Sequence, residues 1–236
     1  MSVGANELHL WSASLACSPS DIDRMRHLLS ADERTRAARL ISVRDQNRFI
    51  AGRGLLRTLL NRCREDKSAP LAFVYSPAGK PSLPDATNRE GLQFNLAHSG
   101  DAFLLGITHG RRVGVDIERI DVTADCSKLA DRFFSPTEQS NWNRLAVSEK
   151  NTAWFRRWTL KEAYLKAVGV GLAQPLDTVE VSISDPPRFL RIRGDATEAA
   201  RWQPFVITSS CPVGFAAAVV LEGQTQPEIQ YHRWEW

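Results

Sequence analysis

Gly114-Val-Asp116-Ile-Glu118 and, further along, Trp158-Thr-Leu-Lys161-Glu162-Ala-Tyr-Leu-Lys166 hold the side chains best suited to chemistry. The first segment reads as the end of a strand and the second as a helix. Strand side chains alternate with period two, so Asp116 and Glu118 share a face while Ile117 enters the opposite layer. Glu162 and Lys166 stand four apart and share a helix face. If strand end and helix meet, three carboxylates can hold a hard divalent cation such as magnesium, with manganese as the alternative. The ammonium group beside them can receive a phosphate. Metal-dependent phosphoryl transfer uses that inventory. Each piece also has a plainer reading: Asp116 and Glu118 as an exposed strand edge, Glu162 and Lys166 as a surface ion pair worth ~0.3–0.5 kcal/mol.

The elements that must position these groups are legible as patterns. Leu8 to Leu15 alternates around Trp11 and predicts a strand. Asp21 to Leu29, after Ser20, predicts a short helix, and Ser30-Ala-Asp-Glu33 is a capping box for another that runs to about Leu40. A longer helix is expected from Arg44 to Cys63, with Phe49, Leu56 and Leu60 at helical spacing and Gly52 and Gly54 permitting close approach. Leu71 to Tyr75 reads as a strand, then a turn with Lys80 at its tip, then a strand from Gln93 to His98. Phe103–Thr108 and Val113–Glu118 bracket His109-Gly-Arg-Arg112 as a β-hairpin.

Ser135-Pro-Thr-Glu138 opens a further helix, and Asn151 is expected to cap the one that carries Glu162, ending near Val168 at Gly169 and Gly171. Strands follow near Val179–Ile183, Phe189–Arg193, Phe205–Ser209 and Gly214–Leu221. The polar tail from Glu222 to Trp236 is expected to lay its tryptophans on the surface. Long helix plus antiparallel strands thus occurs twice, without a repeat in the residues themselves. Trp142, Trp154 and Trp158 read as core.

Composition narrows the class. With 236 residues, 43% of them hydrophobic, the chain can build one large core or two small ones. A net charge of +3 argues against a general nucleic-acid binder. Arginines crowd between Arg24 and Arg64, which suits an anionic small molecule or an acidic partner, or else solvated helix faces. Cys17, Cys63, Cys126 and Cys211 are scattered without zinc spacing and read as free thiols in a reducing cytosol. No signal-peptide pattern opens the chain and no apolar run reaches the ~20 residues of a membrane span. A cytoplasmic protein that meets neither nucleic acid nor membrane is expected.

In this order and at these separations, a set of motifs resembles the 4′-phosphopantetheinyl transferases of the surfactin-synthetase-activating type. The marks are Gly79-Lys80-Pro81, Phe94-Asn-Leu-Ala-His98-Ser-Gly100, Gly114-Val-Asp116-Ile-Glu118, Arg132-Phe-Phe-Ser-Pro-Thr-Glu138, Trp158 to Lys166 and Gly169-Val-Gly171-Leu172. The resemblance covers about Ser30 to Leu172. It implies an α+β monomer of two similar α/β halves, residues 1–112 and 113–236, each a long helix on a small antiparallel sheet, with coenzyme A and magnesium in the cleft between them. Such enzymes move the phosphopantetheine arm of coenzyme A to a serine of an acyl or peptidyl carrier protein.

Carried over by motif, Asp116, Glu118 and Glu162 match the metal ligands, Glu162 also the general base, and Lys166 the residue on the reacting phosphate. Asp116, Lys166, Arg36, Lys80 and His98, with Arg53 added, match positions around coenzyme A. Two departures stand out: Ala97 where the family often has Ser, and Glu33 where some members have a basic residue. Two other readings use the same residues: a catalytically silent module that binds coenzyme A or a carrier, and a magnesium-dependent nucleotide hydrolase. The hydrolase would want a phosphate-cradling glycine loop, and no GxxxxGK[ST] is present.

Overall fold

The computed structural model describes residues 2–68, 70–171, 174–182 and 184–236. Leu172, which ends the last motif, and Ile183, the expected end of a strand, lie outside the described residues. The first half contains β1 (Glu7–Ser14), α1 (Pro19–Leu28), α2 (Ala31–Ala38), α3 (Val43–Cys63), a short ribbon of β2 (Val74–Tyr75) and β3 (Pro81–Ser82), β4 (Leu92–Ser99) and β5 (Ala102–His109). Then come β6 (Val113–Arg119), α4 (Cys126–Phe133), α5 (Pro136–Trp142), α6 (Val147–Val168), β7 (Val179–Val181), β8 (Phe189–Ile192), α7 (Ala196–Ala200), β9 (Trp202–Val206), β10 (Phe215–Glu222) and β11 (Glu228–Arg233). The fold is α+β, as expected.

Period-two alternation sorts the strands into layers. Sheet one runs β11-β1-β5-β4 and sheet two runs β6-β10-β9. On one face of sheet one, Trp11, Phe94, Phe103 and Ile107 meet the α3 stripe of Ile50, Leu55, Leu56 and Leu59. On its other face Leu8, Leu10 and Leu104 meet Val113, Val115, Ile117 and Val219 of sheet two. Sheet two then presents Ala218 and Val220 to Leu160, Ala163 and Tyr164 of α6. The order of layers is therefore α3, sheet one, sheet two, α6. Each fully buried Leu or Ile contributes ~1.5–3 kcal/mol to holding it. Gly54 serves the outer layer as its spacing suggested, because a Cβ there would sit 2.6 Å from that of Met25 on α1.

Several expected elements take another form. Phe103–Thr108 and Val113–Glu118 are not a hairpin: β5 pairs with β1 and β4, while β6 pairs with β10. The turn at His109–Arg112 is a crossover from sheet one to sheet two. The hairpin is instead β4–β5, closed by Gly100 at φ +57° and Asp101. α6 starts at Val147, with Glu149 bonding the Ala146 N–H, so Asn151 lies inside the helix and its amide donates to Asp121 O. Ser18 rather than Ser20 caps α1, because its hydroxyl accepts from Asp21 N–H and Pro19 fills the first turn. Of the expected strand from Leu71, only Val74–Tyr75 is formed, and the Leu71 carbonyl takes an Arg57 N–H.

The strand expected at Phe205–Ser209 is instead Trp202–Val206, after the unanticipated α7. The tail is no surface appendage. It forms β11, parallel to β1 with Glu228 opposite Glu7, so the otherwise antiparallel sheet one is mixed. The last strand of the chain thereby completes the sheet formed by β1, β5 and β4.

Candidate active site at the strand–helix junction

The junction begins with a missing side chain. A Cβ on Gly114 would lie 1.9 Å from the Ala163 carbonyl oxygen and 2.4 Å from the Ala167 nitrogen. Strand β6 and helix α6 therefore touch backbone to backbone, which only glycine allows. Asp116, two residues on, shares the face of Gly114 and lies under the last turns of α6. Its Oδ1 accepts from Lys166 Nζ at 2.5 Å. Asp116 is buried, and Lys166 keeps about a third of its side chain exposed (32%). Sequence reasoning quoted Gly114 within its motif and missed its task; a glycine two residues before the aspartate on the same face was the signal.

The carboxylates are left short of partners. Asp116 Oδ2 and Glu162 Oε1 are buried and without a hydrogen bond. Burial pushes Asp116 up to about 6, with Lys166 pulling it down and Glu118 pushing it up. Burial pushes Glu162 up to about 7, helped by the charges of Asp116 and Glu118 against Lys166. Glu118 Oε2 accepts from the Ser99 hydroxyl at 2.9 Å, and Ser99 Oγ in turn accepts from Arg119 N–H at 3.1 Å. Asn95 Oδ1 accepts from Val115 N–H in the same way. Two side chains of β4 thus stitch β6 to sheet one where no backbone ladder runs, and they fix the height of Asp116 and Glu118.

The donor chemistry fits a hard divalent cation: carboxylate oxygens that burial has left unsatisfied are what such an ion would complete. Among the described residues no three His, Cys, Asp or Glu side chains stand in a ready-made metal cluster. Here Lys166 occupies the place beside Asp116 Oδ1.

The expected coenzyme A residues are only partly gathered there. His98 is the next-to-last residue of β4, and its partial burial, followed by the charges of Lys166 and Arg48, holds it below the ordinary histidine value. Lys80 does not stand free at a turn tip. Its ammonium turns inward to the carbonyls of Ala167 (2.9 Å) and Val113 (3.2 Å), tying the ribbon to both α6 and β6. Burial, then the charge of Arg112, pulls it down to about 8. Arg36 is exposed on α2 over the Phe49 ring at 5.5 Å. Arg53 and Arg57 close on buried Glu33, at 3.5 and 2.7 Å. The acid that departs from the family pattern is thus the counter-ion of Arg53, whose Nη1 remains unpartnered.

Lys161, adjacent to Glu162, was given no role by sequence reasoning. It points away from the junction and is 1% exposed, donating to Glu138 Oε2 (2.6 Å), Phe133 O (2.9 Å) and Leu176 O (3.0 Å). The helical turn alone separates its anchoring side from the side that carries Glu162.

Residues 13–108 match the N-terminal family of 4′-phosphopantetheinyl transferases and residues 112–220 match the 4′-phosphopantetheinyl transferase superfamily. The chain is 38% identical over 180 residues to the 4′-phosphopantetheinyl transferase HetI of a Nostoc species, covering 76% of each. It is 30% identical over 171 residues to the 4′-phosphopantetheinyl transferase ffp of Bacillus subtilis, covering 72% of this chain and 74% of that one. Among solved structures, a holo-(acyl-carrier-protein) synthase from Bacillus anthracis in complex with CoA (3′,5′-ADP) is 25% identical. It covers 48% of this chain and 96% of its own, with a TM-score of 0.38.

Proposed function

Because this chain belongs to the 4′-phosphopantetheinyl transferase family, we propose that its strand–helix junction transfers the phosphopantetheine arm of coenzyme A to a carrier-protein serine. The serine oxygen forms a bond to the phosphorus that carries the arm. The bond from that phosphorus to the bridging oxygen breaks, and the electron pair leaves with adenosine 3′,5′-bisphosphate. The observation that carries the reading is the triad of buried Asp116 with partly exposed Lys166 and Glu162, in which two carboxylate oxygens are unsatisfied and Glu162 is poised near neutrality at about 7.

Glu162 accepts the serine proton, for which a base near the working pH is best matched, contributing roughly 10²- to 10⁴-fold. Lys166, partly exposed, moves from Asp116 to the charge that grows on the reacting phosphate. Asp116, Glu118 and Glu162 would hold a magnesium or manganese ion. When bound, such an ion supplies neutralisation of the diphosphate. Arg36 and His98, with Lys80 released from its carbonyls and Arg53 from Glu33, would bind coenzyme A phosphates. No carboxylate of the set is lost, so nothing favours a silent binding module.

We further place the enzyme in the cytoplasm as a monomer of halves 1–112 and 113–236 that meets neither nucleic acid nor membrane. The small net charge and the lack of a membrane-crossing helix among the described residues are consistent with this. Incubation with coenzyme A, magnesium and a panel of apo carriers, read by intact-mass spectrometry, should show one phosphopantetheine added at the serine. A panel that stays unmodified by folded enzyme would refute the activity.

A further inference from the structure

On the far side of α6 a second site is built around Arg157. Its side chain is buried to 2% exposure, yet Nε, Nη1 and Nη2 all lack a hydrogen-bond partner. A guanidinium carries five N–H donors, and leaving them unmet away from water is costly. The nearest opposite charge cannot meet them. Glu138 Oε1 already accepts from Val181 N–H, and Oε2 accepts from Ser135 N–H and Lys161. Two buried cations, Lys161 and Arg157, therefore share one buried carboxylate. The Phe134 ring, 5.1 Å from the guanidinium, offsets this in part.

Arg157 lines a cavity of about 680 Å³ between α6 and the strand ends, together with Arg156, Ser148, Thr152 and Thr208, and with Ser184, whose hydroxyl already donates to Pro186 O. Glu149, which also lines it, has its carboxylate turned to the Ala146 N–H at 3.1 Å, and Asp185 is exposed on the other wall. None of Lys80, His98, Asp116, Glu118, Glu162 or Lys166 lines this cavity. We propose that it binds a small oxyanion, a carboxylate or phosphate, held in the two-pronged fashion of a guanidinium and finished by the surrounding hydroxyls. Such a ligand supplies the missing negative charge and clamps α6 at a site separate from the transfer chemistry. The proposal stands or falls apart from the transferase reading.

The test compares the whole protein with Arg157→Met in sodium phosphate and in sodium chloride of equal ionic strength. Phosphate a hundredfold above its Kd at this cavity should raise the parent Tm, saturably, by about 5–10 °C more than it raises that of Arg157→Met, which keeps the phosphate-binding residues of the junction alone. In chloride the variant should equal or exceed the parent in Tm, because a buried charge without partners has been removed. Equal phosphate responses in parent and variant overturn the proposal, as does a variant that loses stability alike in both salts. If Arg157→Met does not fold, parent crystals soaked in selenate decide: an anomalous peak within hydrogen-bond distance of the guanidinium supports the site, and its absence overturns it.

Discussion

Two lysine–carboxylate pairs sit five residues apart on α6 and behave in opposite ways. Lys161 and Glu138 are each 1% exposed, and every oxygen and the ammonium group have partners. Lys166 and Asp116 are just as close, yet Lys166 is part exposed, Asp116 Oδ2 is orphaned, and Glu162 beside them has an oxygen with nothing to accept. A satisfied buried pair has no capacity left and can only anchor. An unsatisfied one holds free energy that a ligand can release. The contrast, rather than either pair alone, separates structural from chemical residues within one helix.

The comparison breaks most sharply at Glu162. Glu162→Gln keeps the shape, removes the proton acceptor and should cut carrier modification a hundred- to ten-thousandfold while the urea midpoint holds or rises. Near-parent turnover in the folded variant would remove Glu162 from the chemistry. Lys161→Met is the converse. Stranding Glu138 in the core should cost about 3–5 kcal/mol in urea unfolding, with activity lost only as the fold is lost. If the variant unfolds like the parent, the pair is not an anchor.

A third, smaller effect concerns coenzyme A. Arg36→Ala and His98→Ala should each weaken binding about tenfold or more by calorimetry, the weight of a charge-assisted hydrogen bond. Lys80→Ala should also lower stability, because its ammonium ties α6 to β6.

The mildest effect is a slope with pH. Glu162 is raised from 4.5 to about 7 in the fold, so between those values the folded protein retains a proton that the unfolded chain has released. Its contribution to stability is complete below about 4.5 and disappears as pH rises through about 7. In metal-free protein the urea midpoint should therefore fall between about pH 5 and 8, and Glu162→Gln should flatten that fall.

Sequence patterns served well where structure is local. The capping boxes at Ser30 and Ser135, the long apolar stripe of α3 and the αL stop at Gly169 are settled by near neighbours, and all are present. The face shared by Asp116 and Glu118 followed from strand period alone. Pairing is not local, which is why β5 and β6 passed for a hairpin although each has better partners elsewhere. Lys80 and Lys161 illustrate the same limit for side chains. A lysine in a turn and a lysine beside a glutamate carry no mark of the carbonyls, distant in sequence, that draw each inward.

The pairing of β11 with β1 has a bearing on synthesis. Residues 228–233 complete a sheet whose other strands, β1, β4 and β5, all precede them by more than a hundred positions in the chain. Until they emerge, the nascent chain displays β1 as an uncapped edge, the surface on which strands of other molecules add. Sheet one is locked only when β11 pairs with β1, and a chain that stops short of residue 228 keeps that edge open.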